Sequence, residues 1–450
     1  MCFLTHTKRR FAVVLSILSL ASLASFATWA SDSTTVSPIR NLTLSKTIEL
    51  ALNQNRDVMT SQLDISKANA QVREAWSYAL PQVDISSTYQ RNSIAQKMLF
   101  NGMFITTVLN NTYSTTANLT QPLLSRKVGI GLDIAKTYRE FYNKSYQSTQ
   151  ENTIRNVTKA FYLALLTKKL VDVNREGYNV VKANRDNVQS MYTNGMAAEF
   201  DLLRAEVQVA NTEPIVISAE NNYQLAMNAL KNLLAFPLTE ELSLEGELEY
   251  TAVSNDEIAS GDQTASSMNS TLQQLRIQES LLQKNTAIEK ANYFPTLYLI
   301  GSYGWQTQDN TFKFNNYQWS DAFAYGLSLS FTPFDGFRTA AKVQQADVDQ
   351  KKVKLTRIKA EEGLQLQIES AVDQLTEASK RIQAQSEGRK QAEKALQISQ
   401  TRFQNGIGTQ LELLDTQVAM TRAQTNYSTA IYDYLTAKTD WQYYVGKLHQ

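Results

Sequence analysis

The sequence predicts a mainly α-helical chain with a smaller β part. The β part is a membrane barrel to which each chain contributes four strands. Three observations lead there: an order of segments written twice, two very long stretches of helical pattern without proline, and four short segments of strict alternation.

The first thirty residues stand apart. Lys8, Arg9 and Arg10 precede an apolar run from Phe11 to about Leu23, and small residues follow to a cleavage site at Ala27 or Ala30. Residues 1–30 therefore read as a secretory signal peptide, too short in its apolar run for a spanning helix. The one cysteine, Cys2, precedes that run, which argues against a lipid anchor at the new N-terminus. After removal, one histidine remains, His449, and no cysteine. Disulfides, Cys/His metal sites and triads built on Cys or His are thereby excluded, no cofactor is expected, and no phosphate-binding glycine loop occurs. The net charge of +1 falls to about −2 without the three signal-peptide basic residues, so there is no basic footprint for nucleic acid. Beyond the signal peptide no run approaches twenty apolar residues.

The rest divides into a first copy, 31–243, and a second, 244–450. Each copy opens with a helical segment, 44–79 and 267–293, the latter with Leu272, Leu275 and Leu282 at helical spacing. A β-hairpin follows, about 81–122 and about 295–333. Leu80-Pro81 matches Phe294-Pro295 at an offset of 214, whereas Pro122 matches Pro333 at 211, so the first hairpin's loop is three residues longer. Next comes a long helix, 126–192 and 338–403, which at 1.5 Å per residue spans roughly 100 Å. A turn at about 193–198 and about 404–408 ends it, and a shorter helix returns over 199–235 and 409–445. Tyr192, Gly195, Asp201 and Leu203 match Phe403, Gly406, Glu412 and Leu414. The Asn-Gly in each turn suits a left-handed helix cap. A segment of mixed character, 237–266, joins the copies. Heptad-like stripes run along Leu163, Leu166, Leu170, Val173, Gly177 and Val180, and along Leu411, Leu414, Val418, Thr421, Thr425, Ser428, Tyr432 and Leu435. Their many small seats suit close coiled-coil packing.

Alternation settles the β part. Val83, Ile85, Ser87 and Tyr89 oppose Gln82, Asp84, Ser86, Thr88 and Gln90. Tyr113, Thr115, Ala117 and Leu119 form a second such face, Leu297, Leu299, Tyr303 and Trp305 a third, and Phe323, Tyr325, Leu327, Leu329 and Phe331 a fourth. Apolar-aromatic against small-polar, in segments of about ten residues, is the pattern of strands that cross a bilayer. Four strands cannot close a barrel, and lipid tolerates no open sheet edge. Three chains give twelve strands, hence a homotrimer.

This order of parts, written twice behind a signal peptide, resembles the TolC-like outer membrane efflux proteins. The resemblance covers essentially the whole chain after the signal peptide and rests on Leu42-Thr-Leu-Ser45 with Ala51-Leu52 and Asn55, Leu80-Pro-Gln-Val83, Gln121-Pro122-Leu123 and the two Asn-Gly turns. It implies a trimeric, twelve-stranded β-barrel in the outer membrane, continued by a long α-helical coiled-coil barrel through the periplasm. It further implies a periplasmic adaptor protein and an inner-membrane transporter of RND or ABC type as partners, and drugs, ions or secreted proteins as cargo.

The resemblance also assigns residues. It places two acidic rings at the periplasmic mouth on Glu412 and Asp415; Thr409 to Glu412 reads equally as a capping box. Asp201 matches a position that links neighbouring hairpins, but its usual Tyr and Arg partners are replaced here by Phe403 and Gly408, leaving Tyr192, Gln404, Gln410 and Arg204 as candidates to close the mouth. Thr193, Asn194, Gly195, Gln404, Asn405 and Gly406, at the exposed end, are the expected adaptor contacts, although Asn-Gly is also a plain helix terminator. Two other readings compete with an exit duct. One is a trimeric outer-membrane adhesin or stalk without transport. The other is an enzyme, disfavoured because Asp84 has no acidic partner in the other strand segments.

Overall fold

The computed structural model describes residues 41–94, 97–106 and 109–448; the signal peptide, Cys2 and His449 lie outside them. Along the chain come α1 (Leu44–Gln54), α2 (Arg56–Ser77), β1 (Gln82–Arg91), β2 (Lys97–Phe100), β3 (Met103–Thr106), β4 (Asn111–Leu124), α3 (Arg126–Thr193) and α4 (Glu199–Leu233). Then follow α5 (Asn255–Met268), α6 (Ser270–Lys290), β5 (Thr296–Asp309), β6 (Ser320–Ser330), α7 (Arg338–Gln404) and α8 (Gln410–Tyr444).

The segment 44–79 is two helices rather than one. Asn55 takes an extended conformation (φ −61°, ψ 131°), ending α1 and capping α2. Its Oδ1 accepts from the N–H groups of Asp57 and Val58, at 2.9 and 3.3 Å. Its Nδ2 donates to the Leu233 carbonyl, 2.8 Å away at the end of α4. Asn269 repeats the device: its Oδ1 accepts from Leu272 N–H at 3.1 Å, and its Nδ2 donates to the Tyr444 carbonyl at 3.2 Å. One side chain thus satisfies orphan donors at a helix start and an orphan carbonyl at the end of a distant helix. The helix before Asn269, α5, lies mostly in the joint read as mixed in character, 237–266, and runs two residues past it. Small and polar residues mask its periodicity, and Gly261 is there for close packing: a Cβ would come within 2.9 Å of the buried Trp441 ring. Ahead of α1, Leu42 bridges Leu244, with Leu42 N–H donating to Ser243 O at 2.8 Å.

The helices α3 and α7, of 68 and 67 residues, each pair with a returning helix of 35. On α7 the buried residues Leu364, Ile368, Ala371, Leu375, Ala378 and Ile382 step by four and three. They join Ala430, Ile431, Tyr434, Leu435, Ala437 and Trp441 of α8 in one core. This heptad seam was not among the stripes read from sequence. Those stripes belong in part to a second seam, between α3 and α8, where a Cβ on Gly177 would lie 3.0 Å from Thr421 Oγ1. Leu163, Leu411 and Val418, placed on the stripes, are exposed. Across the α3–α8 seam, Asp440 receives Arg155 Nε at 2.6 Å and Lys159 Nζ at 2.8 Å. Among the described residues no helix is long and apolar enough to cross a membrane.

The four main strands form one antiparallel sheet in the order β1-β4-β5-β6, so β1 and β6 are its edges. Register brings the alternating faces together: Ile85 opposes Ala117, Ala117 opposes Tyr303, and Tyr303 opposes Phe323. One face therefore carries Val83, Ile85, Tyr89, Trp305, Phe323, Tyr325, Leu327 and Leu329, every one exposed. Phe331 lies just beyond β6. The sheet also includes Asp321, which faces Trp305 in register and receives the Tyr303 hydroxyl at 3.2 Å. Asp84 lies on the other face, opposite Asn118, so no carboxylate pair forms across the sheet. The longer loop of the first hairpin contains a small hairpin of its own, β2–β3, which pairs with neither β1 nor β4.

Replacing Asn55 or Asn269 by alanine is expected to cost about 1 kcal/mol or more, because a cap and a tertiary hydrogen bond go together. Aspartate keeps the cap without the donated bond and should recover part of the loss. Denaturant unfolding of the full chain in detergent measures this; alanine variants as stable as the parent would contradict the double role.

Candidate functional site

The repeated Asn-Gly has a local cause at both hairpin ends. In the first, Gly195 sits at φ 72°; its N–H donates to Tyr192 O at 2.9 Å, while Met196 N–H donates to Met191 O at 2.8 Å. In the second, Gly406 sits at φ 71°, with Gly406 N–H to Phe403 O and Ile407 N–H to Arg402 O, both at 3.0 Å. These are paired Schellman closures, which need a residue tolerant of the left-handed region. The asparagines add a second carbonyl satisfier: Asn194 Nδ2 donates to Ser190 O and Asn405 Nδ2 to Thr401 O, each at 2.8 Å. Thr193, Asn194, Gly195, Gln404, Asn405 and Gly406 are all exposed.

Glu412 and Asp415 are both exposed at the start of α8. Thr409 Oγ1 accepts from Glu412 N–H at 3.2 Å, which is half of a capping box. The Glu412 carboxylate turns instead toward Arg402 Nε, 3.7 Å away on the helix that enters the turn. Arg402 also donates to the Ile407 carbonyl at 3.3 Å. Its role could be found in the sequence only by folding the turn first, since ten positions separate it from Glu412.

The structure joins the two hairpins of one chain through other atoms than a carboxylate lock. Phe403 is half-buried against Val188, Leu202 and Ala205 of the first hairpin, so its ring makes an apolar contact where a hydroxyl is missing. Gln410 is buried and donates from Nε2 to the main-chain carbonyl of Asp201 at 3.2 Å. That bond uses the Asp201 backbone and leaves its side chain out. Gly408 is tightly enclosed: a Cβ would lie 3.0 Å from Arg402 Cβ and from Phe403 N, so a side chain there would have to shift the turn by a few tenths of an ångström. Of the other candidates, Arg204 stacks over Phe200 of its own helix at 5.3 Å. Among the described residues no group of three or more His, Cys, Asp or Glu side chains is placed to hold a metal.

Comparison with known proteins agrees with this architecture. The family model described as outer membrane efflux protein matches residues 47–235 and 262–446. The outer membrane protein TolC of Vibrio cholerae is 21% identical over 388 residues, covering 84% of this chain and 85% of that one. The alkaline protease secretion protein AprF of Pseudomonas aeruginosa is 22% identical over 343 residues, 76% of this chain and 71% of its own. Among solved structures, the outer membrane protein VceC of Vibrio cholerae superposes with a TM-score of 0.72 at 16% identity, over 90% of this chain and 96% of that one. The chain belongs to the outer membrane efflux protein family, whose members are outer-membrane transport proteins reaching into the periplasm and not enzymes.

Proposed function

We propose that three copies close their sheets into a twelve-stranded outer-membrane barrel, continued by the paired helices as a tunnel. This forms the exit duct of a tripartite efflux or type I secretion system. A periplasmic adaptor and an inner-membrane transporter of RND or ABC type complete it. The observation that carries this reading is the exposed apolar face of a sheet with two unpaired edges. Eight large side chains on that face, each worth about 1.5–3 kcal/mol on full burial, are 46–80% exposed and so leave on the order of 8–15 kcal/mol unrealised in water. That is comparable to the net stability of a typical domain. Hydrocarbon covers the face, and pairing β6 of one copy with β1 of the next removes both edges. The opposite face, with Gln82, Asp84, Ser86, Asn118 and Ser302, then lines the lumen.

In this assembly the hairpin ends form the periplasmic mouth. Glu412 and Asp415 of three copies present six carboxylates, while Arg402 partly balances Glu412 and so gives Asp415 the larger share of the unpaired charge. Phe403 packing and the Gln410 bond hold the two hairpins of each copy together, and the exposed turn residues 193–195 and 404–406 meet the adaptor. A trimeric adhesin or stalk would share the helices but has no use for a polar lumen face or an acidic mouth.

Ion current through the purified protein in planar bilayers tests the duct, and a deletion strain assayed for antibiotic sensitivity and lost secreted proteins identifies the cargo class. A heat-stable trimer that carries no current would leave the stalk reading standing. Replacing both Glu412 and Asp415 by alanine is expected to abolish block of the channel by divalent cations; unchanged block would reduce Glu412 to a helix cap. Asp201→Ala should change single-channel conductance little, since its carbonyl makes the contact, whereas Gln410→Ala should raise it. A several-fold rise with Asp201→Ala would contradict that assignment.

A further inference from the structure

Where the sheet ends and the long helices begin, the chain exposes aromatic rings beside cations. Leu124, the last residue of β4, opposes Leu297, and Leu297 opposes Leu329. Residues directly opposed across strands share a face, so the apolar face of the sheet runs on to the end of β4. Arg126 opens α3 two residues later, its guanidinium 4.2 Å from the centre of the Phe294 ring. Beyond β6 the alternation continues to Phe331, and Phe334 and Phe337 follow; the three are 54%, 69% and 74% exposed. Arg338 then opens α7.

The stretch from Phe334 to Phe337 has an enforced shape. Gly336 and Phe337 both take left-handed backbone conformations (φ 69° and 64°), which suits glycine and strains a side chain as large as phenylalanine. Asp335 holds the loop: its Oδ2 accepts from Thr339 N–H at 2.9 Å and from the Thr339 hydroxyl at 2.6 Å. The rings of Phe334 and Phe337 meet edge to face, centroids 5.4 Å apart, and stay open on their outer sides. Strain that buries so little in its own chain points to a contact outside it. The arginines are equally out of place. Neither long helix has an acidic residue in its first turn, and a cation there opposes the helix dipole. Arg338 Nε lies 3.7 Å from Asp335, which Thr339 already engages, and the Arg338 side chain is 73% exposed. Over 123–130 and 331–342 there are four basic residues, Arg126, Lys127, Arg338 and Lys342, against one acidic residue, Asp335.

We infer that these residues form an aromatic and basic collar around the foot of the barrel, which binds the anionic headgroups of glycerophospholipids in the periplasmic leaflet. This rests on the reading that the apolar face of the sheet lies in hydrocarbon. Ten strand residues tilted by ~40° rise about 25 Å, the height of an outer-membrane apolar band, so residues just past Leu124 and Ser330 come to headgroup depth. They do so at the end of the sheet from which the long helices lead into the periplasm, hence in the leaflet built of phospholipid. Aromatic side chains settle at that depth. Arginine offers a planar fork of donors that fits a phosphate in two bonds, and the Phe294 ring already orients the fork of Arg126. Four basic residues against one acidic leave an excess of three positive charges per copy, which favours an anionic headgroup over a zwitterionic one.

Counting lipids on the full-length protein tests this. Released from nanodiscs of phosphatidylethanolamine and phosphatidylglycerol in equal parts, the parent protein is expected to keep several-fold more phosphatidylglycerol, read by native mass spectrometry. Arg126→Ala together with Arg338→Ala should remove that preference and leave the assembly intact, whereas the lysine pair R126K, R338K should keep most of it. Phe334→Ser with Phe337→Ser is expected to lower the number of both lipids retained. Equal retention of the two lipids by the parent, or an unchanged preference in the double-alanine variant, overturns the collar and leaves the barrel standing. So does an F334S, F337S chain that falls apart into single copies in detergent, since the rings would then be a contact between copies. A parent chain that never enters the disc overturns the barrel and the collar together.

Discussion

A sheet that is apolar on one face and unpaired at both edges is an unfinished object in any solvent. Water penalises the face, and hydrocarbon penalises the unbonded N–H and C=O groups of β1 and β6. The order β1-β4-β5-β6 leaves the two edges on opposite sides of the same sheet, one from each half of the chain. Head-to-tail pairing around a ring is the arrangement that satisfies face and edges at once. The long helices inherit their position from this: α3 starts two residues after β4, and α7 starts eight residues after β6.

Below the sheet the structure solves a different problem, how to keep thin helical hairpins in register when the long helix of each runs about 100 Å and the returning helix about half that. Each returning helix is tied at its far end by an asparagine, Asn55 to Leu233 and Asn269 to Tyr444. Each turn is closed by Asn-Gly, and the middle is zipped by heptads, with Asp440 holding Arg155 and Lys159 across the seam between hairpins. Arg155 also lies over the rings of Tyr443 and Tyr444, at 4.8 and 5.4 Å. The two hairpins of one chain therefore act together, and the contacts at the tip, Phe403 and Gln410, extend the same coupling to the end.

Much of this could be read without coordinates because period-two alternation survives in isolation: Phe323, Tyr325, Leu327 and Leu329 declare their face whatever surrounds them. What escaped reading depends on partners. The Asn55 elbow hides because a polar residue inside a helical pattern carries no mark of its tertiary acceptor. The α7 seam hides because Ala371 and Ala378 are too small to stand out, and α5 because serine and alanine blur its period. At the tip, Gln410 emerged from several candidates only once the turn brought it to the Asp201 carbonyl. Arg402 was missed because hairpin closure, and not sequence spacing, sets it beside Glu412.

The most direct measurement of the central claim is the native mass of the full-length protein released from lipid nanodiscs. Three copies per particle, held together until the lipid and detergent are stripped away, is the result that edge pairing in hydrocarbon requires. A particle containing one copy, or a chain that stays soluble and never enters the disc, would contradict it.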